Sequence, residues 1–254
     1  MTRKSHSALP LASSLTKLAA TLIGAAAIAA PAHAGTISFE SADPSAIYGS
    51  GDTYYESGYK LTFEAFDFTA AGSAVGSIVD SNDPGTCMNT SCPNNGSLFY
   101  GAFNDSIVIL NSATNGAQFQ LKSIDASFIG AFPNLGGYPA ISGLLRMQAF
   151  RADSSYEVID LPLFGPGANG FQFDTYDLLE PYASMNFVEI AMFGMVCNAS
   201  LSCSAFNSNQ GQFAIDNIVL AEVPEPASAA IFGLGLMGLV AGARRRKANA
   251  NVNA

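Results

Sequence analysis

The stretch LLRMQAFRA at residues 144–152 decides the fold class, because apolar and polar side chains alternate along it. In an extended chain, Leu145, Met147 and Ala149 lie on one face, and Arg146 and Gln148 lie on the other. A period of two residues is typical of an antiparallel strand with one face in a core and the other in solvent. The stretch therefore predicts a half-buried β-strand.

The same alternation recurs outward from this strand. Ile124, Ala126 and Phe128 share one face, and Asp125 and Ser127 share the other. Further short β-rich runs are separated by Gly, Pro, Asn, Asp and Ser, and no convincing helical period appears among them. Strands are predicted over residues 36–40, 59–68, 75–79, 106–110, 119–128, 144–152, 158–163, 170–175, 185–196 and 211–221.

These runs predict one all-β domain, a single antiparallel β-sandwich at residues 35–222, which is long enough for a sizeable core. The chain has 18 Phe and no Trp, so the core is expected to be rich in Phe. Tyrosines near the start of the domain are the best exposed candidates for stacking on sugars, although packing at strand ends explains them equally well. These tyrosines are Tyr48, Tyr54, Tyr55 and Tyr59.

The C-terminal end is organised differently from the domain. Its parts are Val223-Pro224-Glu225-Pro226, an uncharged apolar run at 227–243, and the basic cluster Arg244-Arg245-Arg246-Lys247. The prolines oppose both helix and sheet pairing, so the folded domain is expected to end before them. The apolar run is at the short end of the roughly 17–25 residues that span a bilayer. Basic residues after such a run mark the cytoplasmic side.

This tail resembles the PEP-CTERM sorting signal of Gram-negative bacteria. In that family a membrane transpeptidase called exosortase recognises the Pro-Glu-Pro motif and processes the protein. The resemblance covers residues 223–247, and residues 248–254 extend past the usual pattern. It implies a precursor anchored in the inner membrane by a transmembrane sorting helix at 227–243, exosortase as a partner, and delivery to the cell surface or extracellular matrix. An ordinary C-terminal membrane anchor is the alternative.

The N-terminal end has the three parts of a secretory signal peptide. Arg3 and Lys4 supply positive charge, an apolar core follows at 18–30, and Ala32-His33-Ala34 is a cleavage site. Signal peptidase is therefore expected to remove residues 1–34, so that the mature chain begins at Gly35.

The domain between the two signals is strongly acidic. All 20 acidic residues of the chain lie between Glu40 and Glu225, whereas this interval holds few basic residues. Such a surface repels phosphate backbones, which excludes nucleic-acid binding, and it is compatible with divalent cations or with a soluble exported protein. The basic residues of the interval are Lys60, Lys122, Arg146 and Arg151.

The cysteines form two local clusters. Cys87 and Cys92 lie close together in sequence, as do Cys197 and Cys203. Export into an oxidising compartment predicts disulfides, and of the three possible connectivities we favour Cys87–Cys92 with Cys197–Cys203. A zinc site is the rival interpretation, but the C-x2-C spacing and a helping histidine are missing. Each short bridge is expected to pin a loop.

The two ends of the domain carry a second resemblance. Residues 37–40 (ISFE) and 212–220 (QFAIDNIVL) resemble the opening and closing strands of jelly-roll carbohydrate-binding modules, where these strands are neighbours and their acidic residues help to bind a structural calcium ion. A Gln-Phe-x-x-Asp pattern before the sorting signal also resembles a subgroup of PEP-CTERM proteins. The resemblance implies a jelly-roll-like sandwich and a calcium site with Glu40 and Asp216. The alternative is a solvated strand end at Glu40 and an edge residue at Asp216.

The sequence contains few of the residues and motifs that enzymes use for catalysis. His6 and His33 fall in the predicted signal peptide, so the mature protein has no histidine. This removes the commonest general base and the Ser-His and Cys-His nucleophile systems. A nucleophile elbow, a Walker loop and a Rossmann fingerprint are also missing from the sequence. Paired carboxylates remain open. The candidate pairs are Glu64 with Asp67 and Asp174 with Asp177, which solvated strand and turn positions also explain.

The sequence therefore predicts an exported, non-enzymatic β-sandwich protein of the cell envelope or extracellular matrix. Association with exopolysaccharide and biofilm is implied by the PEP-CTERM resemblance. A polysaccharide-binding module is the second hypothesis, and a glycan-active exported enzyme is the third. Aromatic rings exposed along one sheet face would favour binding, and a cleft with two carboxylates about 5–10 Å apart would favour hydrolysis.

Overall fold

Strands form wherever the sequence alternates, and they account for nearly all the regular structure. The computed structural model describes residues 34–66, 74–131, 137–206 and 210–223. Two short 3-10 helices, Pro84–Cys87 and Tyr182–Ser184, join the strands in this part of the chain. The strands are β1 (Ala34–Ile37), β2 (Ile47–Gly49), β3 (Thr53–Glu56), β4 (Tyr59–Glu64), β5 (Ala74–Asp80), β6 (Thr90–Ser91), β7 (Leu98–Ala102), β8 (Ile107–Ser112), β9 (Phe119–Phe128), β10 (Gly130–Ala131), β11 (Ile141–Phe150), β12 (Tyr156–Phe164), β13 (Asp174–Asp177), β14 (Glu189–Cys197), β15 (Cys203–Ser204) and β16 (Phe213–Glu222).

Two antiparallel sheets face each other across the core. The first sheet has the order β13-β9-β16-β7-β5-β2, with β1 also paired to β16. The second sheet has the order β12-β11-β14-β8-β4-β3, with β15 paired to β14. A separate ribbon of β6 and β10 lies outside both sheets. This architecture confirms the predicted fold class, an all-β antiparallel sandwich.

The core between the sheets is built from aromatic and aliphatic side chains, as the composition predicts. Phe63, Tyr100, Phe128 and Phe213 are among its fully buried rings. The rings of Phe63 and Tyr100 stack with centroids 4.3 Å apart. A second, smaller cluster joins Cys87 to side chains of the first sheet.

The opening and closing strands are neighbours. β1 runs antiparallel to β16, with Ala34 opposite Ala221 and Ile37 opposite Ile218. β16 lies inside the first sheet, because β9 and β7 flank it in the strand order. The strand ends at Glu222, and the backbone N–H of Val223 donates to the carbonyl of Gln118 at 3.2 Å.

Two glycines allow a close backbone approach at the start of β16. A Cβ on Gly211 would lie 2.6 Å from the carbonyl oxygen of Gly194, which is on β14 in the second sheet. A side chain at Gly211 would therefore push the backbones of the two layers apart.

The predicted terminal segments fall outside the described part of the chain. They are the signal peptide at 1–34 except Ala34, the sorting residues from Pro224 onward, the transmembrane span at 227–243 and the tail at 248–254. Within residues 34–66, 74–131, 137–206 and 210–223, no helix has the length and apolar character to cross a membrane. The predicted division of the chain into signal peptide, domain and sorting signal stays a prediction.

Candidate functional site

Asp216 is a buried carboxylate on β16, with 1% of its surface exposed. Its Oδ2 accepts hydrogen bonds from Asn95 Nδ2 at 2.7 Å and from Ser97 Oγ at 3.1 Å. Its Oδ1 accepts from the backbone N–H of Asn217 at 2.7 Å. Burial raises the pKa of Asp216 to about 6, an effect that these hydrogen bonds oppose and that the charge of Asp125 reinforces. The carboxylate thus ties the turn before β7 to the last strand.

Glu40 reaches the same segment of chain as Asp216. Its Oε1 accepts from the backbone N–H of Leu98 at 3.1 Å, and Leu98 follows Ser97, which donates to Asp216. Carboxylate oxygens are ligands that calcium prefers, so Glu40 and Asp216 carry suitable donor atoms for the predicted ion. Among the described residues, no group of three or more Asp, Glu, His and Cys could hold a metal. Backbone or water oxygens would have to complete the shell, and calcium binding stays a prediction.

The cysteines form the two local disulfides that their spacing favours. Cys87 and Cys92 are joined with Cα atoms 6.0 Å apart, and Cys197 and Cys203 with Cα atoms 4.0 Å apart. The first bridge closes the loop that carries β6. The second closes the turn between β14 and β15, where the two cysteines are register partners. Both bridges pin single loops, and neither joins the two sheets.

The candidate carboxylate pairs show no catalytic arrangement in the described residues. Glu64 accepts a hydrogen bond from Ser50 Oγ at 2.8 Å, and its predicted partner Asp67 lies outside the described residues. Asp174 and Asp177 both lie on β13, at the edge of the first sheet. Because they are three positions apart on a strand, their side chains point to opposite faces.

The predicted sugar-stacking tyrosines divide into exposed and buried residues. Tyr55 is 60% exposed, as expected of a stacking residue. The prediction is wrong for Tyr59, which is 1% exposed because it faces the core from β4 and packs edge-on against Phe119. Tyr48 and Tyr54 are partly buried against the core. Sequence reasoning missed the exposed rings of β12, since they depend on which face of that strand lies outside.

The outer face of the second sheet carries side chains in rows across the strands, and two of these rows cross all six strands of its main path. With strands about 4.8 Å apart, such a row spans about 24 Å. The first row, in order from β3 to β12, consists of Tyr55, Lys60, Asn111, Glu189, Phe150 and Tyr156.

Two further rows run beside the first. The second row, from β3 to β12, consists of Thr53, Thr62, Ile109, Ala191, Gln148 and Val158. The third row, from β4 to β12, consists of Glu64, Ile107, Phe193, Arg146 and Asp160. The second row has Ala191 near its centre and mostly shorter side chains than its neighbours. We call this second row of mostly shorter side chains, between the first and third rows, the transverse trough.

Aromatic rings and an ion pair line the sides of the transverse trough. Tyr156 is 57% exposed, and its ring centroid lies 5.7 Å from that of Phe150. On the other side, Arg146 donates two hydrogen bonds of 2.7 Å to the two carboxylate oxygens of Asp160. Phe193 packs against Phe206 with centroids 4.9 Å apart. The side walls thus combine ring surfaces with charged groups of both signs.

Two cavities near the end of the first sheet are smaller than ordinary ligand sites. They measure about 230 and 210 Å³ and share Thr90 and Gln212 in their linings. Small-molecule sites occupy roughly 300–1,000 Å³. Neither cavity is lined by a charged side chain from the described residues. We therefore regard the transverse trough as the more extensive candidate site.

Comparison with known proteins identifies the C-terminal signal. A sequence profile of the PEP-CTERM protein-sorting motif matches residues 222–247. The chain therefore carries this sorting motif, as its sequence predicts, and the match begins at the last residue of β16. The motif implies an exported protein that is anchored at the membrane before exosortase cleaves it. No curated protein matches the chain in sequence.

Solved structures resemble the body only distantly. A DUF4465 family protein from Bacteroides ovatus shares 8% identity, with 76% of this chain and 100% of that chain covered and a TM-score of 0.40. CBM29_1, a family 29 carbohydrate-binding module from Piromyces equi, shares 11% identity over 76% of this chain and 93% of its own, with a TM-score of 0.33. The xylan-binding domain CBM22-2 from Paenibacillus barcinonensis shares 10% identity over 74% and 98%, with a TM-score of 0.32. Likenesses at this level carry no argument about ligands.

Proposed function

We propose that this protein is exported, processed by exosortase and delivered to the cell surface or extracellular matrix, with a β-sandwich body that is not an enzyme. The observation that carries the proposal is the PEP-CTERM motif at residues 222–247, which directly follows the last strand of the body. Signal peptidase would remove residues 1–34, and the span at 227–243 would hold the precursor in the inner membrane. The setting we infer for the released protein is the exopolysaccharide matrix of a biofilm.

Features of the body support this proposal. Its disulfides suit an oxidising compartment outside the cytoplasm. The mature chain would lack histidine, and Asp174 and Asp177 do not face each other. One structural calcium ion at Glu40 and Asp216 would add a tie between the turn after β1, the last strand and the turn before β7.

Replacement of the motif carboxylate tests the sorting proposal. In a host with exosortase, Glu225→Ala should leave the full-length precursor in the membrane, because the Pro-Glu-Pro element would no longer be recognised. Asp177→Ala is the matched control, since Asp177 is an exposed carboxylate of the body. Immunoblots of membrane and released fractions provide the measurement. Normal processing and release of the Glu225→Ala protein would contradict the proposal.

Polysaccharide binding is a second candidate function of the body. It is favoured by the rings of Tyr55 and Tyr156, which are 60% and 57% exposed on the outer face of the second sheet. A screen of the purified protein against a glycan array, with calcium and with chelator, tests this function. An array without any bound glycan in either condition would count against it.

A further inference from the structure

The transverse trough differs in charge from the rest of the body. Lys60 and Arg146 project from its two sides and are two of the four basic residues between Glu40 and Glu225. Arg146 is paired with its register partner Asp160, and Glu189 and Glu64 lie in the same rows as Lys60 and Arg146 respectively. The potential over the trough is therefore closer to neutral than over the acidic remainder. A neutral ligand suits this face better than an anionic one, which the body as a whole would repel.

The trough combines the two kinds of contact that sugar rings make. Tyr55 and Tyr156 lie at opposite ends of the first row, and their exposed faces can pack against the C–H faces of sugars. Thr62 and Gln148 lie on the floor and carry a hydroxyl and an amide that can hydrogen-bond to sugar hydroxyl groups. The separation of about 24 Å between the ends suits an extended chain of several sugars rather than a single one.

A polypeptide is a poorer occupant of this face. Strands inside a sheet use their backbone N–H and C=O groups for their neighbours, so the face offers no main-chain partners for an added β-strand. A peptide lying across the strands would leave its own backbone groups without partners when buried. A membrane surface is also a poor match, because peripheral binding favours a basic face. A polysaccharide, by contrast, can form the hydrogen bonds of its hydroxyl groups with side chains alone.

We infer that the transverse trough binds an uncharged linear polysaccharide that lies across the strands of the second sheet. The inference rests on the second candidate function and gives it a site and a ligand class. Tyr55 and Tyr156 are the stacking residues at the two ends. Gln148 is a polar contact on the floor, and Ala191 is the small residue that keeps the floor low.

Affinity electrophoresis tests this site with the full-length protein in a mild detergent. The gels contain hydroxyethylcellulose, glucomannan or dextran as neutral probes, or alginate as an anionic probe. The variants Tyr55→Ala and Tyr156→Ala should each weaken binding to a retarding neutral probe by about three- to tenfold, as expected for the loss of one ring contact. Ala191→Phe should abolish retardation, because the new ring fills the trough. The retardation should not change when salt is raised.

A matched control and several outcomes make the test decisive. Leu179→Ala removes a side chain that is 76% exposed and lies outside the trough, so its binding should equal that of the original protein. Melting curves establish that each variant is folded, and the two tyrosine variants keep the test valid if Ala191→Phe does not fold. Equal retardation of all variants would overturn the site and leave polysaccharide binding standing. Retardation by alginate alone would overturn the ligand class. No retardation in any gel would overturn polysaccharide binding together with this site, and would leave the sorting proposal untouched.

Discussion

Burial of Asp216 predicts that mild acid stabilises the folded protein. Its pKa is raised from the ordinary 3.8 to about 6, chiefly because burial disfavours the charged carboxylate. A pKa that is higher in the folded state means that the folded protein binds the proton more tightly. The stabilising contribution is therefore fully present below the unfolded pKa and is lost as the pH rises through about 6.

The magnitude follows from the size of this pKa difference. At about 1.4 kcal/mol per pH unit, a rise from 3.8 to about 6 corresponds to about 3 kcal/mol. Most of this free energy should appear between pH 7 and pH 4. The surface carboxyls of Asp43 and Asp153 have lowered pKa values and act in the opposite direction, mainly at lower pH.

Urea unfolding at several pH values isolates the contribution of Asp216. The variant Asp216→Asn cannot titrate at this position, so the protein should gain about 2–3 kcal/mol relative to the variant between pH 7 and pH 4. Chelator is present throughout, because a bound cation would itself lower the pKa of the carboxyl. Asp177→Asn, at an exposed position, should follow the original protein. Parallel pH profiles for the original protein and Asp216→Asn would refute the reasoning.

Three other predictions concern stability and covalent structure. Calcium should raise the melting temperature, and Glu40→Gln should reduce this increase. Equal melting temperatures in calcium and in chelator would contradict the predicted metal site. Intact mass before and after reduction should show no free thiol, with the bridges Cys87–Cys92 and Cys197–Cys203 in peptide maps; a bridge between the two clusters would contradict them. Gly211→Ala should cost about 1–3 kcal/mol of unfolding free energy, since a Cβ would lie 2.6 Å from the carbonyl oxygen of Gly194; unchanged urea midpoints would count against this.

Long strands with one buried face were the easiest part of the fold to predict. β9 occupies the predicted residues 119–128, and Ile124, Ala126 and Phe128 all face the core. By contrast, β7 was not predicted. Tyr100 belongs to the main core, whereas its neighbour Phe99 is buried in the second cluster with Cys87. A strand buried on both faces loses the alternation that marks a strand in sequence.

The bounds of β13 were predicted only in part. The prediction at 170–175 overlaps only the first two residues of β13, since Gly170 has a positive φ of 85° and belongs to a turn.

The candidate site was less predictable than the fold. The transverse trough joins Tyr55 to Tyr156 through the pairing of strands that are distant in sequence. Local alternation gives the face of each side chain but not its partner on the next strand. The rows could therefore be identified only once the structure showed which residues of neighbouring strands are paired.

The place of β16 in the strand order affects how the chain can leave the cell. β16 is the last strand of the described chain, yet it lies between β9 and β7 in the first sheet. Until residues 213–222 are available, the edges of β1, β7 and β9 that pair with β16 therefore stay without their partner. Open edges favour aggregation, and pairings between distant segments form slowly. The first sheet therefore completes its pairing last, with the segment that comes directly before the sorting motif.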